Sequence, residues 1–147
     1  MTREISEASG EWKRYDAEIK WYEHIRDDIM AEAEQAGVSP RQMMRLELGL
    51  EEILVNIISY AYEEPGFVWI RTFTEDGFFH LELADHGKPF DPLEKDRRPA
   101  EELSLEEREP GGYGIFLVKK NFTSVDYKYE ELFGGMANHL SMILKIQ

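Results

Sequence analysis

The chain has 147 residues, of which 42% are hydrophobic, so it is long and apolar enough for one globular domain with a core. Its 30 acidic and 17 basic residues give a formal net charge of -13, which disfavours direct binding to a nucleic-acid backbone. No cysteine is present for disulfides or thiolate metal sites, and no apolar run is long enough to span a membrane, so we expect a cytoplasmic protein without membrane contact.

The first two predicted elements are helices. Residues 15–36 carry apolar or aromatic side chains three or four apart, which predicts an amphipathic helix that ends at Gly37. Ser39, Pro40 and Gln42 are typical of a helix start, because a hydroxyl cap is followed by proline and, three residues on, by glutamine. The second helix is therefore predicted to begin at Pro40, and no helix-breaking residue follows it before Pro65.

The next predicted elements are a hairpin and a loop. Residues 67–74 and 78–84 contain β-branched and aromatic residues in partial alternation around Glu75–Asp76–Gly77, which predicts two paired strands. Residues 91–110 are dense in charge and proline and poor in large apolar groups. Because such a segment buries little surface, we predict a mobile loop there.

The end of the chain is predicted to complete a sheet. The pattern indicates a short helix over residues 115–120 and a closing pair of strands over residues 125–129 and 139–146. We expect a single domain over residues 1–147 in which residues 1–14 are irregular. The order of elements predicts an α+β two-layer sandwich, with helices on one face of a mixed, mostly antiparallel sheet.

Glu52 and Asn56 are the first candidate site residues. They are four residues apart on the second predicted helix, hence stacked about 6 Å apart on one side. We expect them on the polar flank, away from the apolar stripe that contains Leu50 and Ile57. A carboxylate and an amide oxygen there would suit a general base and one ligand of Mg²⁺, although two solvated side chains on a surface helix fit the same spacing.

Asp85 and Gly87 form the second candidate, directly after a predicted strand. A carboxylate at a strand end can accept a hydrogen bond from an exocyclic amine, and a nearby glycine lets a flat ring approach the backbone. An ordinary turn would also contain these residues. The third candidate is the glycine run at residues 111–114, whose backbone N–H groups favour phosphate if a helix starts there, although a flexible linker has the same composition.

Three segments in this order resemble the N, G1 and G2 boxes of the GHKL (histidine kinase-like) ATPases. They are Glu52–Tyr62, Asp85–Pro92 and Gly111–Val118. The first segment, the Pro-Phe-Asp-Pro continuation of the second, and the ending Gly135–Leu140 are similar to the RsbW-type anti-sigma factor serine kinases. The resemblance covers about residues 15–147.

The resemblance implies the Bergerat ATP-binding fold, with residues 91–110 as a lid over ATP. By position, it implies that Glu52 is the base that activates an attacking hydroxyl and that Asn56 binds Mg²⁺ bridging the phosphates. Asp85 would accept a hydrogen bond from the adenine amino group, and Gly87 would admit the ring.

Further nucleotide contacts are implied at the end of the lid and on the last strand. Gly112 and Gly114 would let backbone donors reach the phosphates, and Asn138 would be the polar nucleotide-site residue of the last strand pair. Arg97 and Arg98 in the lid would add cationic contacts.

The function implied by the resemblance is that of an ATP- and Mg²⁺-dependent protein serine/threonine kinase. Such a protein phosphorylates a STAS-type anti-sigma factor antagonist and binds a sigma factor, and a homodimer is compatible with it. A second hypothesis is a regulatory module that binds nucleotide and a protein partner without phosphotransfer. A third is a structural domain whose nucleotide site has decayed.

Overall fold

Two helices and a five-stranded sheet make up the part of the chain that the computed structural model describes, namely residues 11–61, 66–91, 119–120 and 122–146. In chain order these are β1 (Lys13–Asp16), α1 (Tyr22–Ala36), α2 (Pro40–Asn56), β2 (Phe67–Glu75), β3 (Phe78–Asp85), β4 (Ser124–Leu132) and β5 (Gly135–Lys145). A 3-10 turn (Ile19–Trp21) precedes α1, and a π-helical turn (Ile57–Ala61) continues α2. Within these ranges, no helix has the length and apolar character needed to cross a membrane.

The sheet has the spatial order β1-β2-β3-β5-β4, and every neighbouring pair is antiparallel. One continuous core forms between the sheet and the two helices. Its fully buried side chains include Ile25, Ile29, Leu46, Leu50, Ile53, Leu54, Phe79, Leu81, Leu83 and Met142. The predicted two-layer α+β sandwich is therefore confirmed, and the described part of its sheet is wholly antiparallel rather than mixed.

The start of α2 follows from its capping residues. The Ser39 hydroxyl accepts a hydrogen bond from the Gln42 backbone N–H at 3.2 Å, and the Gln42 side chain accepts one from the Ser39 N–H at 3.1 Å. The Gln42 amide also donates to the Lys145 carbonyl oxygen at 2.8 Å, which joins this helix end to β5. A cap of this kind typically contributes about 1 kcal/mol, and the predicted start at Pro40 is confirmed.

The predicted beginning of the first helix is wrong. Tyr15 lies in β1, where it pairs with Val68 of β2, and α1 begins only at Tyr22. The expectation that residues 1–14 are irregular is likewise wrong for Lys13 and Arg14, which are part of this strand. Tyr15 fitted the helical spacing because its ring packs against the same core, while pairing with a distant strand determines its backbone conformation.

The predicted β2–β3 hairpin is confirmed, and its turn is formed by Asp76 and Gly77, both with positive φ. The closing strands are longer than predicted because β4 and β5 pair up to a tight turn at Phe133 and Gly134. Of the helix predicted over residues 115–120, Lys119 and Lys120 are helical and the rest lies outside the described residues. The predicted lid also lies outside them, apart from its first residue.

A charged network crosses the sheet through β2, β3, β5 and β4. Arg71 donates to Glu82 at 2.6 Å, and His139 lies between two carboxylates, 2.7 Å from Glu82 and 2.6 Å from Glu130. Burial alone would raise the pKa of Glu82, but hydrogen bonds from His139 and Arg71 outweigh it and lower that pKa. Burial would lower the pKa of His139, but the two carboxylates raise it overall.

The raised pKa of His139 predicts a pH-dependent stability. The stability that it adds is present in full below the ordinary histidine pKa of about 6.5 and is lost as pH rises through the folded-state pKa. We therefore expect the free energy of unfolding, measured by urea titration, to fall as pH rises above about 6.5. The variant His139→Gln should show less of this fall, while the control His80→Gln, which alters a histidine stacked on Phe73, should keep it. Equal pH dependence in wild type and His139→Gln would contradict the prediction.

Candidate functional site

A buried carboxylate marks the end of β3. Asp85 is 4% exposed, and its Oδ1 accepts hydrogen bonds from the Gly87 backbone N–H and from the Asn138 side-chain amide, each at 2.9 Å. Burial raises the pKa of Asp85, and these two bonds together with His86 offset only part of the rise. Because both bonds end on Oδ1, neither occupies Oδ2. The site thus holds an acceptor whose orientation is fixed by the protein.

A small pocket lies beside this carboxylate, between α2 and the ends of the strands. Its walls are formed by Ile53, Asn56, Ile57, Leu83, Asp85, Phe90, Tyr127, Asn138 and Leu140. Most of these side chains are apolar or aromatic, and two of the polar ones, Asp85 and Asn138, are hydrogen-bonded to each other. An apolar slot with a small number of placed polar groups is typical of a small-molecule site. The cavity volume is about 20 Å³, which admits a water molecule, so a flat base would require a wall to move outward.

Asn138 links β5 to the end of β3 and to residues 86–90, which follow it. Its amide nitrogen donates to Asp85 Oδ1, to the Lys88 carbonyl oxygen at 3.0 Å and, more weakly, to the Gly87 carbonyl oxygen at 3.3 Å. Its Oδ1 accepts from the Phe90 backbone N–H at 2.9 Å. The strand register places Asn138 directly opposite Asp85. Both ends of this one side chain therefore hold the segment that carries Asp85 and Gly87.

The α2 side of the pocket includes Asn56, which is bonded to Glu52. The Asn56 amide nitrogen donates to Glu52 Oε2 at 3.2 Å, as the four-residue spacing predicts. The expected polar flank is wrong for Asn56, which is only 8% exposed and lines the pocket, while Glu52 is half-buried. The reason is that Asn56 follows the buried residues Gly49 and Ile53 by seven and three positions, which puts it on their face of the helix.

The structure brings four of the predicted site residues together. Asp85, Gly87 and Asn138 are joined by hydrogen bonds, and Asn56 lines the same pocket as Asp85. Glu52 reaches this group through Asn56. The remaining predicted nucleotide contacts lie outside the described residues. They are Gly112, Gly114 and the lid arginines Arg97 and Arg98.

Two residues at the pocket were not singled out from the sequence. The Phe90 ring lines the pocket, and so does Tyr127, whose hydroxyl donates to Asn138 Oδ1. Phe90 lies in the segment Asp85–Pro92, which resembles the G1 box, but no role was predicted for it. Tyr127 could have been found from strand alternation, because it shares a sheet face with Val125 and both pack against the core.

The two-layer fold and the buried carboxylate beside an apolar slot fit a nucleotide-binding domain. Residues 16–144 match the histidine kinase-like ATPase domain family, and the chain belongs to that family. Membership of an ATPase family implies that the chain binds ATP. The sequence resemblance to the GHKL ATPases is thereby confirmed.

Two relatives with known names indicate which group within this family the chain resembles. The chain is 27% identical over 126 residues to the serine/threonine-protein kinase BtrW of Bordetella bronchiseptica, covering 84% of this chain and 80% of that protein. It is 32% identical over 98 residues to the anti-sigma F factor of Caldanaerobacter subterraneus subsp. tengcongensis, covering 66% of this chain and 67% of that protein. Both support an anti-sigma factor kinase family, and the RsbW-type resemblance is confirmed.

Among solved structures, the chain is similar to the Acinetobacter baumannii histidine kinase AdeS. The sequence identity is 13% and the TM-score is 0.47. The alignment covers 99% of this chain and 71% of that one.

Proposed function

We propose that this chain is an anti-sigma factor with protein serine/threonine kinase activity, which phosphorylates a STAS-type antagonist and binds a sigma factor. The observation that carries the proposal is the pocket lined by the buried Asp85 and by Asn56, whose side-chain amide is bonded to Glu52. The similarity to an anti-sigma F factor and to a serine/threonine-protein kinase supports the choice of partners and reaction. Such a protein acts in the cytoplasm, where sigma factors act.

The residues at the pocket fit an adenine base. Asp85 is an acceptor at the end of an apolar slot, and adenine has an exocyclic amine on a flat ring. Ile53 and Leu83 contribute apolar wall on the helix and sheet sides. In this arrangement Asp85 Oδ2 accepts from the amine, and Gly87 leaves room beside it.

Asn56 fits a magnesium ligand. Its amide nitrogen is turned towards Glu52, so its carbonyl oxygen is the group available on the other side. Mg²⁺ prefers oxygen ligands and is usually held by one or two protein groups together with phosphates and water. When bound, the ion neutralises charge on the phosphates. Backbone donors at Gly112 and Gly114 would add to the same task.

Glu52 is suited to act as the general base. Its Oε2 accepts from Asn56, which fixes the carboxylate and leaves Oε1 to take the proton of a serine hydroxyl. The new bond joins the serine oxygen to the γ-phosphorus. The bond from that phosphorus to the bridging oxygen breaks, and ADP leaves with the electron pair. In such a transfer the protein mainly positions groups and neutralises charge.

The test is phosphotransfer between purified proteins. We expect the chain, given Mg-ATP labelled on the γ-phosphate, to label a serine of one STAS-domain protein from its own organism, with the site mapped by mass spectrometry. It should also form a complex with one sigma factor. Binding of nucleotide without transfer to any STAS-domain protein would contradict the kinase and favour a regulatory module that uses nucleotide only to set its shape.

A further inference from the structure

The Tyr127 hydroxyl makes a closed set of hydrogen bonds at the edge of the pocket. It donates to Asn138 Oδ1, and the Phe90 backbone N–H donates both to Asn138 Oδ1 at 2.9 Å and to the Tyr127 oxygen at 3.3 Å. Tyr127 comes from β4, Asn138 from β5, and Phe90 from the segment after β3. Three separate parts of the chain therefore meet at one amide oxygen.

This arrangement fixes which end of the Asn138 amide faces Asp85. A primary amide has an acceptor oxygen and a donor nitrogen of nearly equal size, so its neighbours decide its orientation. Two donors, from Tyr127 and Phe90, meet the oxygen end. The nitrogen end consequently donates to Asp85 Oδ1, so Asn138 does not engage the other oxygen of this pocket-lining carboxylate.

We propose that the Tyr127 hydroxyl is a positioning group that, through Asn138, holds the Asp85 carboxylate in the orientation that selects adenine over guanine. The inference rests on the proposed nucleotide site and adds a residue on a strand that the sequence motifs do not include. Guanine has a carbonyl oxygen where adenine has its amino group. A fixed carboxylate acceptor attracts the amine and repels that oxygen, so the selection weakens when the carboxylate can turn.

The direct test is Tyr127→Phe, which removes the hydroxyl and keeps the ring in the pocket wall. Isothermal titration with ADP and with GDP should show ADP binding weakened roughly threefold to tenfold, the range expected for one lost hydrogen bond. The preference for ADP over GDP should fall by a similar factor. A ring that served only packing would leave this preference unchanged.

The matched control is Tyr129→Phe. Tyr129 is on the same strand, pairs with Asn138 across the ladder and is 39% exposed. We expect the Tyr129→Phe variant to bind ADP and GDP with the affinities of the wild type. The melting temperature without nucleotide is measured for every variant, so that a loss of folding is not taken for a loss of binding.

A double-mutant cycle tests whether Tyr127 acts through Asn138. Asn138→Ala should weaken ADP binding, and adding Tyr127→Phe to it should cause little further loss. Fully additive losses would overturn the inference, as would a Tyr127→Phe variant with wild-type preference.

If the wild type binds neither nucleotide, both the proposed function and this inference fail. If the wild type binds ADP, the variants test the role of Tyr127 separately from the proposed function.

Discussion

Asp85→Asn is expected to lose the stabilisation that nucleotide gives to the wild-type chain. At a nucleotide concentration about 100 times the dissociation constant, a ligand of the native state adds about 2.7 kcal/mol, which raises the melting temperature of a domain this size by several degrees. In Asp85→Asn, the Gly87 and Asn138 donors both occupy the single oxygen of the new amide. Its NH₂ then faces the adenine amino group, donor against donor, and we expect affinity to fall at least about 100-fold.

The measurement is the melting temperature with and without Mg-ADP and Mg-ATP. The matched control is Asp76→Asn in the β2–β3 turn, which removes the same charge at a φ of 55° that asparagine tolerates. The control should keep the full rise. Without nucleotide, Asp85→Asn need not melt lower, because burial penalises the charged form of Asp85 and raises its pKa. A variant that keeps the wild-type rise would exclude Asp85 from the nucleotide site.

The elements that the sequence predicted well have local causes. The start of α2 is set by Ser39, Pro40 and Gln42, whose capping bonds span only three residues. The β2–β3 hairpin is set by Asp76 and Gly77, which take the positive φ values that the turn requires. Such signals lie within a short stretch of sequence, so both elements could be predicted from it. The structure confirms both.

The misassigned elements depend on distant partners. Tyr15 has the spacing of a helical residue, yet the backbone of β1 is extended because it pairs with β2, which follows both helices in the chain. β1 lies at the edge of the sheet and pairs with β2, and no local residue pattern predicts this pairing. The burial of Asn56 is a related case, because the buried side of α2, which includes Gly49 and Ile53, depends on how the helix packs in the folded domain.

The site was predictable as a set of residues but not as a geometry. Asp85, Gly87 and Asn56 stood out by sequence pattern, and the structure places them at one pocket or beside it. The bond between Asn138 and Asp85 depends on the β3–β5 register, which joins residues far apart in the sequence. Strand alternation could have placed Tyr127 on the core face, but its bond to Asn138 depends on the β4–β5 register.

Glu52→Gln is expected to slow phosphotransfer about 10² to 10⁴-fold while nucleotide binding is kept. Glutamine has the shape of glutamate and can still accept from the Asn56 amide, so the wall of the pocket is preserved. A neutral amide cannot take the proton of the attacking serine. Loss of a general base typically slows a reaction about 10² to 10⁴-fold, and we expect a loss in this range for the single-turnover rate of phosphate transfer.

The neighbouring Glu51→Gln supplies the matched control for this experiment. Glu51 is exposed and projects from α2 about 100° away from Glu52, so the substitution makes the same change of charge without touching the pocket. It should transfer phosphate at the wild-type rate. Both variants should bind Mg-ADP as the wild type does, by isothermal titration. Transfer at the wild-type rate by Glu52→Gln would exclude Glu52 as the base, and loss of both binding and transfer would assign it to holding the nucleotide instead.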